Sequence, residues 1–340
     1  MYNLKYKEVS DKKTWEDFIL SHNPRSFLQS WNWGEVNERL GKKIYRIGFY
    51  DDSNLVGESL IIKENAKRGP HFLIPGGPII DWGSQVQINA FIKCIKNLAR
   101  EEHVWFIRIR PEVMDSRESK KMFSELGFVS APMHLHAENT WVLDISPPEE
   151  SIVAGMRKTT RYLVRNSQKH NLICEQTIDS EQIKILSDLQ KETVVRHNFV
   201  GFSDKIFRYQ LETFGKDNQG KLFICRQAEK DLAAAIIIFY GDTAYYHHSG
   251  STSNYRGIPF SYFLQWQVIL EAKKRGIKYY NFWGIAPNDN PKHRFAGVTT
   301  FKKGFGGKRV DWIHARDLPV SLLYVFTYTF EFLRKVFRRL

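Results

Sequence analysis

The sequence predicts a mixed α/β protein built as two units of similar layout, each a mixed sheet flanked by helices. Three observations carry that expectation. At 340 residues, with 42% hydrophobic and 14% aromatic residues, the chain is globular in composition and longer than one hydrophobic core usually supports. One succession of patterns occurs twice: a strand hairpin, an aromatic strand, a loop with Gly and Pro, a helix and a further strand. Between the copies, Thr140-Trp-Val-Leu-Asp-Ile-Ser-Pro-Pro148 reads as a strand ending on a proline pair, which marks a junction.

The first copy is preceded by a helical stretch over residues 12–40. Trp15, Phe18 and Ile19 stand at helical spacing, Asn23-Pro24 breaks the helix, and Gly41 stops a second one. Ile44–Tyr50 and Leu55–Ile62, joined by Asp51-Asp-Ser-Asn54, form the hairpin. Phe72-Leu-Ile74 leads into Pro75-Gly-Gly-Pro78, a helix runs from about Ser84 to Glu101, and Val104–Arg110 alternates as a strand does. In the second copy the corresponding elements are Leu222–Arg226, Asp231–Tyr240, Thr243–His248, a helix Phe260–Arg275 stopped by Gly276, and Lys278–Trp283. His247 and His248, adjacent in a strand, are expected on opposite faces and in structural roles.

The formal charge of +13 calls for a polyanionic partner: nucleic acid, a phosphorylated substrate or an acidic membrane face. Cys94, Cys174 and Cys225 are too scattered for a disulfide framework or a zinc site, so no metal is expected. The N-terminal residues lack the apolar core of a signal peptide, and the expected compartment is the cytoplasm. P-loop, zincin and Gly-x-Ser-x-Gly motifs are absent, which removes local support for nucleotide hydrolysis, zinc proteolysis and serine hydrolysis.

Three stretches carry candidate chemistry. Gly297–Gly307 sets Lys302 and Lys303 between Phe301 and Phe305 ahead of three glycines. It reads as a basic strand end running into a Gly turn, or as a loop presenting a cation to an anion or developing oxyanion. Met156–Arg165 reads as a helix with Arg157, Arg161 and Arg165 four apart on one face, either a solvated face or a phosphate track. The tail from Leu318 is apolar up to Phe330 and then basic at Arg334, Lys335, Arg338 and Arg339. Its uncharged run is too short to span a membrane, leaving core packing or an interfacial helix.

The order of strands and helices resembles the acetyltransferase (GNAT) fold, whose acyl-coenzyme A lies on a Gly-rich loop opening a helix. Here that place holds Arg256-Gly-Ile-Pro-Phe-Ser261, and Pro259 has no N–H to offer a phosphate, so no coenzyme is expected. A closer resemblance runs collinearly over nearly the whole chain. Phe27–Gly34, Pro75–Asp81, Thr140–Ser146, Arg157–Arg161, Thr193–Arg196, Gly250–Arg256, Leu264–Trp266, Tyr280–Ile285 and Phe301–Gly307 resemble the FemABX family of aminoacyl-tRNA-dependent transferases that build peptidoglycan interpeptide bridges.

The resemblance implies two GNAT-like domains, residues 1–145 with about 313–340 and residues 146–312, with substrates in or beside the cleft between them. The charge pattern from Asp188 to Gly220 leaves no room for a coiled-coil arm. The implied reaction moves an amino acid from aminoacyl-tRNA to an amine on the stem peptide of lipid II or UDP-MurNAc-pentapeptide. Lys302 would stabilise the oxyanion or hold the tRNA terminus, and Phe301 would stack on a terminal base. Asp81 is either the base that orients the amine or a residue closing a turn. Arg196, Tyr255, Arg256, Trp33 and Asn37 fall at substrate-binding places; Asn37 and Gly76 stand where the family often has cations. Arg157, Arg161, Arg165 and Lys303 are the candidates for tRNA or phosphate contact. A monomer is expected, with the tail as the element that could touch the inner face of the membrane. An acyl-coenzyme A N-acyltransferase on the same fold and a non-catalytic tRNA- or membrane-binding protein stay open as alternatives.

Overall fold

A computed structural model describes residues 4–197, 201–255 and 257–338. The chain divides into two compact units, residues 1–138 with 311–340, and residues 139–310. The sequence reading set the junction after residue 145. It falls earlier because Asn139–Asp144 hydrogen-bonds with Tyr279–Gly284 and so belongs to the second sheet.

In the first unit the sheet order is Lys5–Glu8, Lys43–Asp51, Asn54–Ala66, Gly69–Gly76, Phe106–Pro111, Arg316–Pro319 and Val129–Ser130. Gly69–Gly76 and Phe106–Pro111 are parallel, joined by the crossover helix Gln85–Glu101. Ser84 caps that helix, and Ile88, Phe91 and Ile95 pack its inner face against the sheet. The hairpin before them turns at Asp52, whose φ is 51°. Asp11 caps the short helix Lys12–Ser21, which buries Trp15 and Ile19.

The second unit repeats the layout in the order Leu172–Thr177, Gly220–Gln227, Lys230–Tyr240, Thr243–Ser251, Tyr279–Gly284, Asn139–Asp144 and Lys308–Asp311. Its parallel pair is Thr243–Ser251 with Tyr279–Gly284, and its crossover helix is Phe260–Lys274. In each sheet the strand beside the parallel pair comes from a distant part of the chain, Arg316–Pro319 in the first and Asn139–Asp144 in the second. The helices Ile183–His197 and Asp204–Lys216 lie on the second sheet, and no projecting arm occurs among the described residues.

One expectation fails at His247 and His248. A register shift opposite Ile236 and Ile237 breaks the alternation, so both rings come to one side with centroids 4.0 Å apart. Gln210 spans them, at 3.1 Å from His247 Nδ1 and 3.3 Å from His248 Nε2. Burial brings the His248 pKa down to about 3, so it is a neutral structural ring.

Two acids of the first unit are buried in opposite states. Glu138 accepts from Ala315 N at 2.9 Å and lies 2.6 and 2.8 Å from the Nδ1 atoms of His134 and His314. Burial acts to raise its pKa, but those hydrogen bonds bring it down to about 2. Glu58 is fully buried, and neither carboxyl oxygen has a hydrogen-bond partner among the described residues. Burial, with Glu16 adding to it, pushes its pKa up to about 10, so it is a neutral acid at pH 7.

Because the folded chain then holds a proton that the unfolded chain releases above about 4.5, Glu58 should make the first unit lose stability as pH rises from about 4.5 to 10. Glu58→Met is expected to remove one proton from that linkage and to raise the thermal midpoint most at alkaline pH. Thermal unfolding of both proteins between pH 5 and 9 checks this; parallel curves would mean that Glu58 ionises in the folded chain.

Candidate functional site

The Lys302 stretch is a helix, not a strand end. Ala296–Lys303 forms two helical turns, with Lys302 and Lys303 in the last turn, where the helix dipole favours cations. Gly304 caps it, and the chain then turns through Gly306 and Gly307 at φ of 88° and 94°. Gly307 is required for space as well as conformation: a Cβ there would stand 2.4 Å from the Val142 carbonyl oxygen.

This helix end meets the place where the parallel strands part. Thr243–Ser251 and Tyr279–Gly284 pair at three positions, ending at Tyr245 and Asn281, whereas the corresponding strands of the first unit pair at six, from His71 with Phe106 to Gly76 with Pro111. Beyond the parting, the Gly284 carbonyl accepts from Lys302 Nζ at 2.6 Å, and the Tyr246 ring lies 6.0 Å from the same nitrogen. Lys302 is 6% exposed. Burial lowers its pKa from the ordinary 10.5 to about 7, which brings its proton exchange into the neutral range. Such a group can stabilise developing negative charge or pass a proton at physiological pH.

Around it, Phe301 stands edge-on to Tyr262 at 4.9 Å and to Phe305 at 5.4 Å, packed against the core of the second unit. Lys303 Nζ is 2.5 Å from Asp289 Oδ1 and 5.5 Å from the Trp141 ring centre, so it has local partners. The start of the Lys158–Ser167 helix abuts the same turn: Arg157 N donates to Gly304 O at 2.9 Å, and a Cβ on Gly304 would meet Thr160 Oγ1 and the Arg157 guanidinium. Arg157 precedes this helix and is not part of it, so only Arg161 and Arg165 share its face. Two of the three have local partners: Arg157 Nε donates to Thr159 Oγ1 at 3.0 Å and Arg161 Nη1 to Ala154 O at 3.0 Å.

Arg196 closes the end of the Ile183–His197 helix over the strand end. It donates to Ser253 Oγ at 2.5 Å and Ser251 Oγ at 3.0 Å, steadying the segment that leads to Tyr255. Tyr255 is half-buried with Lys230 Nζ 5.3 Å from its ring centre; Arg256 lies outside the described residues. Pro259 precedes the Phe260–Lys274 helix and offers no side-chain cap. The second unit thus brings together Lys302, Phe301, Lys303 and Arg157.

The remaining candidates lie in the first unit. Asp81 is exposed, and its Oδ1 accepts from Gly83 N at 2.8 Å, which closes a turn three residues before the Ser84-capped helix begins to be hydrogen-bonded. Trp33 and Asn37 are buried: Trp33 packs edge-on to Phe27 and His136, and Asn37 Nδ2 donates to Trp33 O at 2.8 Å. In the folded chain Trp33 therefore has aromatic neighbours and Asn37 a partner in its own helix. Sequence reading missed Tyr246, Tyr262 and the Gly284 carbonyl, whose importance comes from a strand parting that leaves no mark in residue spacing.

His134, Glu138 and His314 come within 4.8 Å of one another, the spacing of a metal ligand set. Both ring nitrogens of His314 face acceptors, Glu138 Oε2 at 2.8 Å and Ala131 O at 2.7 Å, so the ring holds both protons when both bonds form. Burial alone would lower its pKa; the Glu138 carboxylate outweighs that and raises it. The three side chains form a hydrogen-bonded cluster centred on the Glu138 carboxylate.

A model of the FemAB family matches residues 11–225 and 218–331. The lipid II:glycine glycyltransferase of Staphylococcus epidermidis is 20% identical over 85% of this chain and 86% of its own. Among solved structures, a crystal structure of FemX covers 96% of this chain and 100% of its own, with a TM-score of 0.84 and 18% identity. A tandem GNAT protein from the clavulanic acid biosynthesis pathway covers 94% and 99%, with a TM-score of 0.59 and 11% identity, so the paired GNAT-like fold is shared beyond detectable sequence likeness.

Proposed function

Because the chain belongs to the FemAB family, we propose that it is an aminoacyltransferase that moves an amino acid from aminoacyl-tRNA to the stem-peptide amine of a peptidoglycan precursor. The precursor is lipid II or UDP-MurNAc-pentapeptide. The observation that carries the reading is the buried Lys302 amine, with its pKa lowered to about 7, at the parting of the parallel strands. The acceptor amine attacks the ester carbonyl, a C–N bond forms, the C–O bond to the tRNA ribose breaks, and the ribose hydroxyl leaves with a proton. Lys302 as a cation stabilises the oxyanion and can hand a proton to the leaving oxygen, and the proton that the attacking amine loses as the C–N bond forms restores the lysine cation. Phe301, Lys303 and Arg157 flank the place for the tRNA end, and Arg196 and Tyr255 serve the acceptor side. Arg161 and Arg165 extend the basic surface along their helix.

Pro259 at the start of the crossover helix argues against coenzyme A as the donor, since that helix turn lacks one N–H for a phosphate. Purified protein with radiolabelled aminoacyl-tRNA is expected to label lipid II or UDP-MurNAc-pentapeptide. No labelling of either acceptor across several tRNA types, with acetyl-coenzyme A consumed instead, would replace this reading. No helix among the described residues is long and apolar enough to cross a membrane.

A further inference from the structure

The tail helix Tyr324–Arg338 is built inside out. Its inward stripe is polar: Tyr324 donates to Asp317 Oδ2 at 2.9 Å, Thr327 donates to the Arg68 carbonyl, and Glu331 is fully buried. Glu331 lies 2.7 Å from Arg108 Nη2 and 2.9 Å from Arg68 Nε, while Arg108 also holds Asp317 at 2.7 Å. A buried ionic set of this kind accepts one rotation of the helix, because any other would strand a charge in the interior. The rotation it selects turns the apolar side chains outward. Phe326, Phe330, Leu333 and Phe337 form one exposed stripe, with Phe337 at 81% exposure, and Leu322 in the turn before the helix is 92% exposed. The core-packing expectation for this tail is overturned at that stripe.

The rest of the helix says what covers the stripe. Glu331 is the single carboxylate from Tyr324 to Leu340, and it is spent inward. Arg334 and Lys335 follow in the same helix, Arg338 and Arg339 extend the basic run in sequence, and the whole chain carries +13. The helix is 15 residues long, about 22 Å at the usual rise, too short to span a bilayer and suited to lying along one. An apolar stripe with a cationic end and no outward acid matches an anionic lipid surface, whose acyl boundary takes the aromatics and whose headgroups take the arginines and lysine.

We propose that Tyr324–Arg338 docks the protein in the plane of an anionic membrane, with the Arg108–Asp317–Glu331 set fixing the face it presents. The inference stands apart from the transfer reaction, since it concerns lipid without any precursor. The test is co-sedimentation of the full chain with vesicles of phosphatidylcholine alone and of phosphatidylcholine with 30% phosphatidylglycerol, at about 0.1 M salt. Wild type is expected to partition about tenfold more strongly onto the anionic vesicles. Phe326→Ser/Phe330→Ser/Phe337→Ser should lower binding to them by about tenfold or more, and Arg334→Ser/Lys335→Ser should reduce it to the level on neutral lipid. Phe337→Ser alone, at a side chain that touches little, should weaken binding with an unchanged thermal midpoint, which guards against a misfolded triple variant. Wild type that sediments with neither vesicle overturns the proposal. So does a triple variant that binds like wild type, or a wild-type dimer that the triple variant dissolves without any lipid binding, which would assign the stripe to a second copy.

Discussion

Lys302→Met is expected to abolish transfer while making the second unit more stable. The rate should fall by about a hundredfold to a thousandfold, the usual cost of removing a preorganised group that meets an oxyanion. The stability gain has a separate origin. In the unfolded chain the amine has its ordinary pKa of 10.5, and burial lowers it to about 7 in the folded protein. Below pH 7 both states are protonated, and the folded one carries the full cost of a buried cation. Between about 7 and 10.5 the unfolded chain binds the additional proton, so stability rises with pH across that window. Methionine keeps the volume and removes the charge, so the variant should be stabilised most at or below pH 7, by about 1–3 kcal/mol after the loss of the bond to Gly284 is counted.

Thermal unfolding at pH 6 and pH 9 reads the gain, and single-turnover transfer reads the loss. In the wild type, the rise of kcat/KM with pH, which follows deprotonation of the attacking amine, should level off near pH 7, because the Lys302 cation is the working form. Unchanged turnover in the variant would remove Lys302 from the mechanism. A variant less stable than wild type at pH 6 would mean that an anion neutralises the lysine in the folded chain.

Arg108→Met is expected to destabilise the first unit by about 3–5 kcal/mol, the largest stability effect among the substitutions considered. Arg108 is 2% exposed and holds two carboxylates, Asp317 and Glu331, that are themselves buried. Without the guanidinium, two acids remain in the interior with fewer partners, and the tail helix loses its main polar anchor. Arg108→Met combined with Asp317→Asn and Glu331→Leu should recover much of the loss, since apolar replacement of a whole buried ionic set is often neutral. Denaturant unfolding of the single and combined variants decides it, with limited proteolysis of the tail as a second readout. A single variant within about 0.5 kcal/mol of wild type would show that the set contributes nothing to holding the helix.

Much of the fold was legible because its signals are local. The hairpin at Asp51–Asn54, the crossover helix beginning after Ser84 and the stop at Gly276 each follow from periodicity, caps and turn residues within a few positions. The two-unit layout followed from the same signals occurring twice. The Lys302 stretch was misread as structure: eight residues with two lysines beside glycines look like a strand end, whereas they form a helix whose Thr299 Oγ1 accepts from Ala286 N, just past the strand that ends at Gly284. The bond from Asn37 to the Trp33 carbonyl was not legible either, since spacing to Trp33 places Asn37 on the helix but does not say which way its amide turns.

What the sequence by itself determined is the set of elements, their order, the basic charge and the family resemblance that drew attention to Lys302. The tertiary structure decided what those residues experience. Burial at the parting of two strands makes a lysine titrate near neutrality, and a strand irregularity puts two adjacent histidines side by side. A guanidinium 223 positions away from its acid turns a helix so that its apolar stripe faces outward. Each of these is set by long-range desolvation and pairing, which depend on what surrounds a group in space, and neighbours in sequence do not specify that.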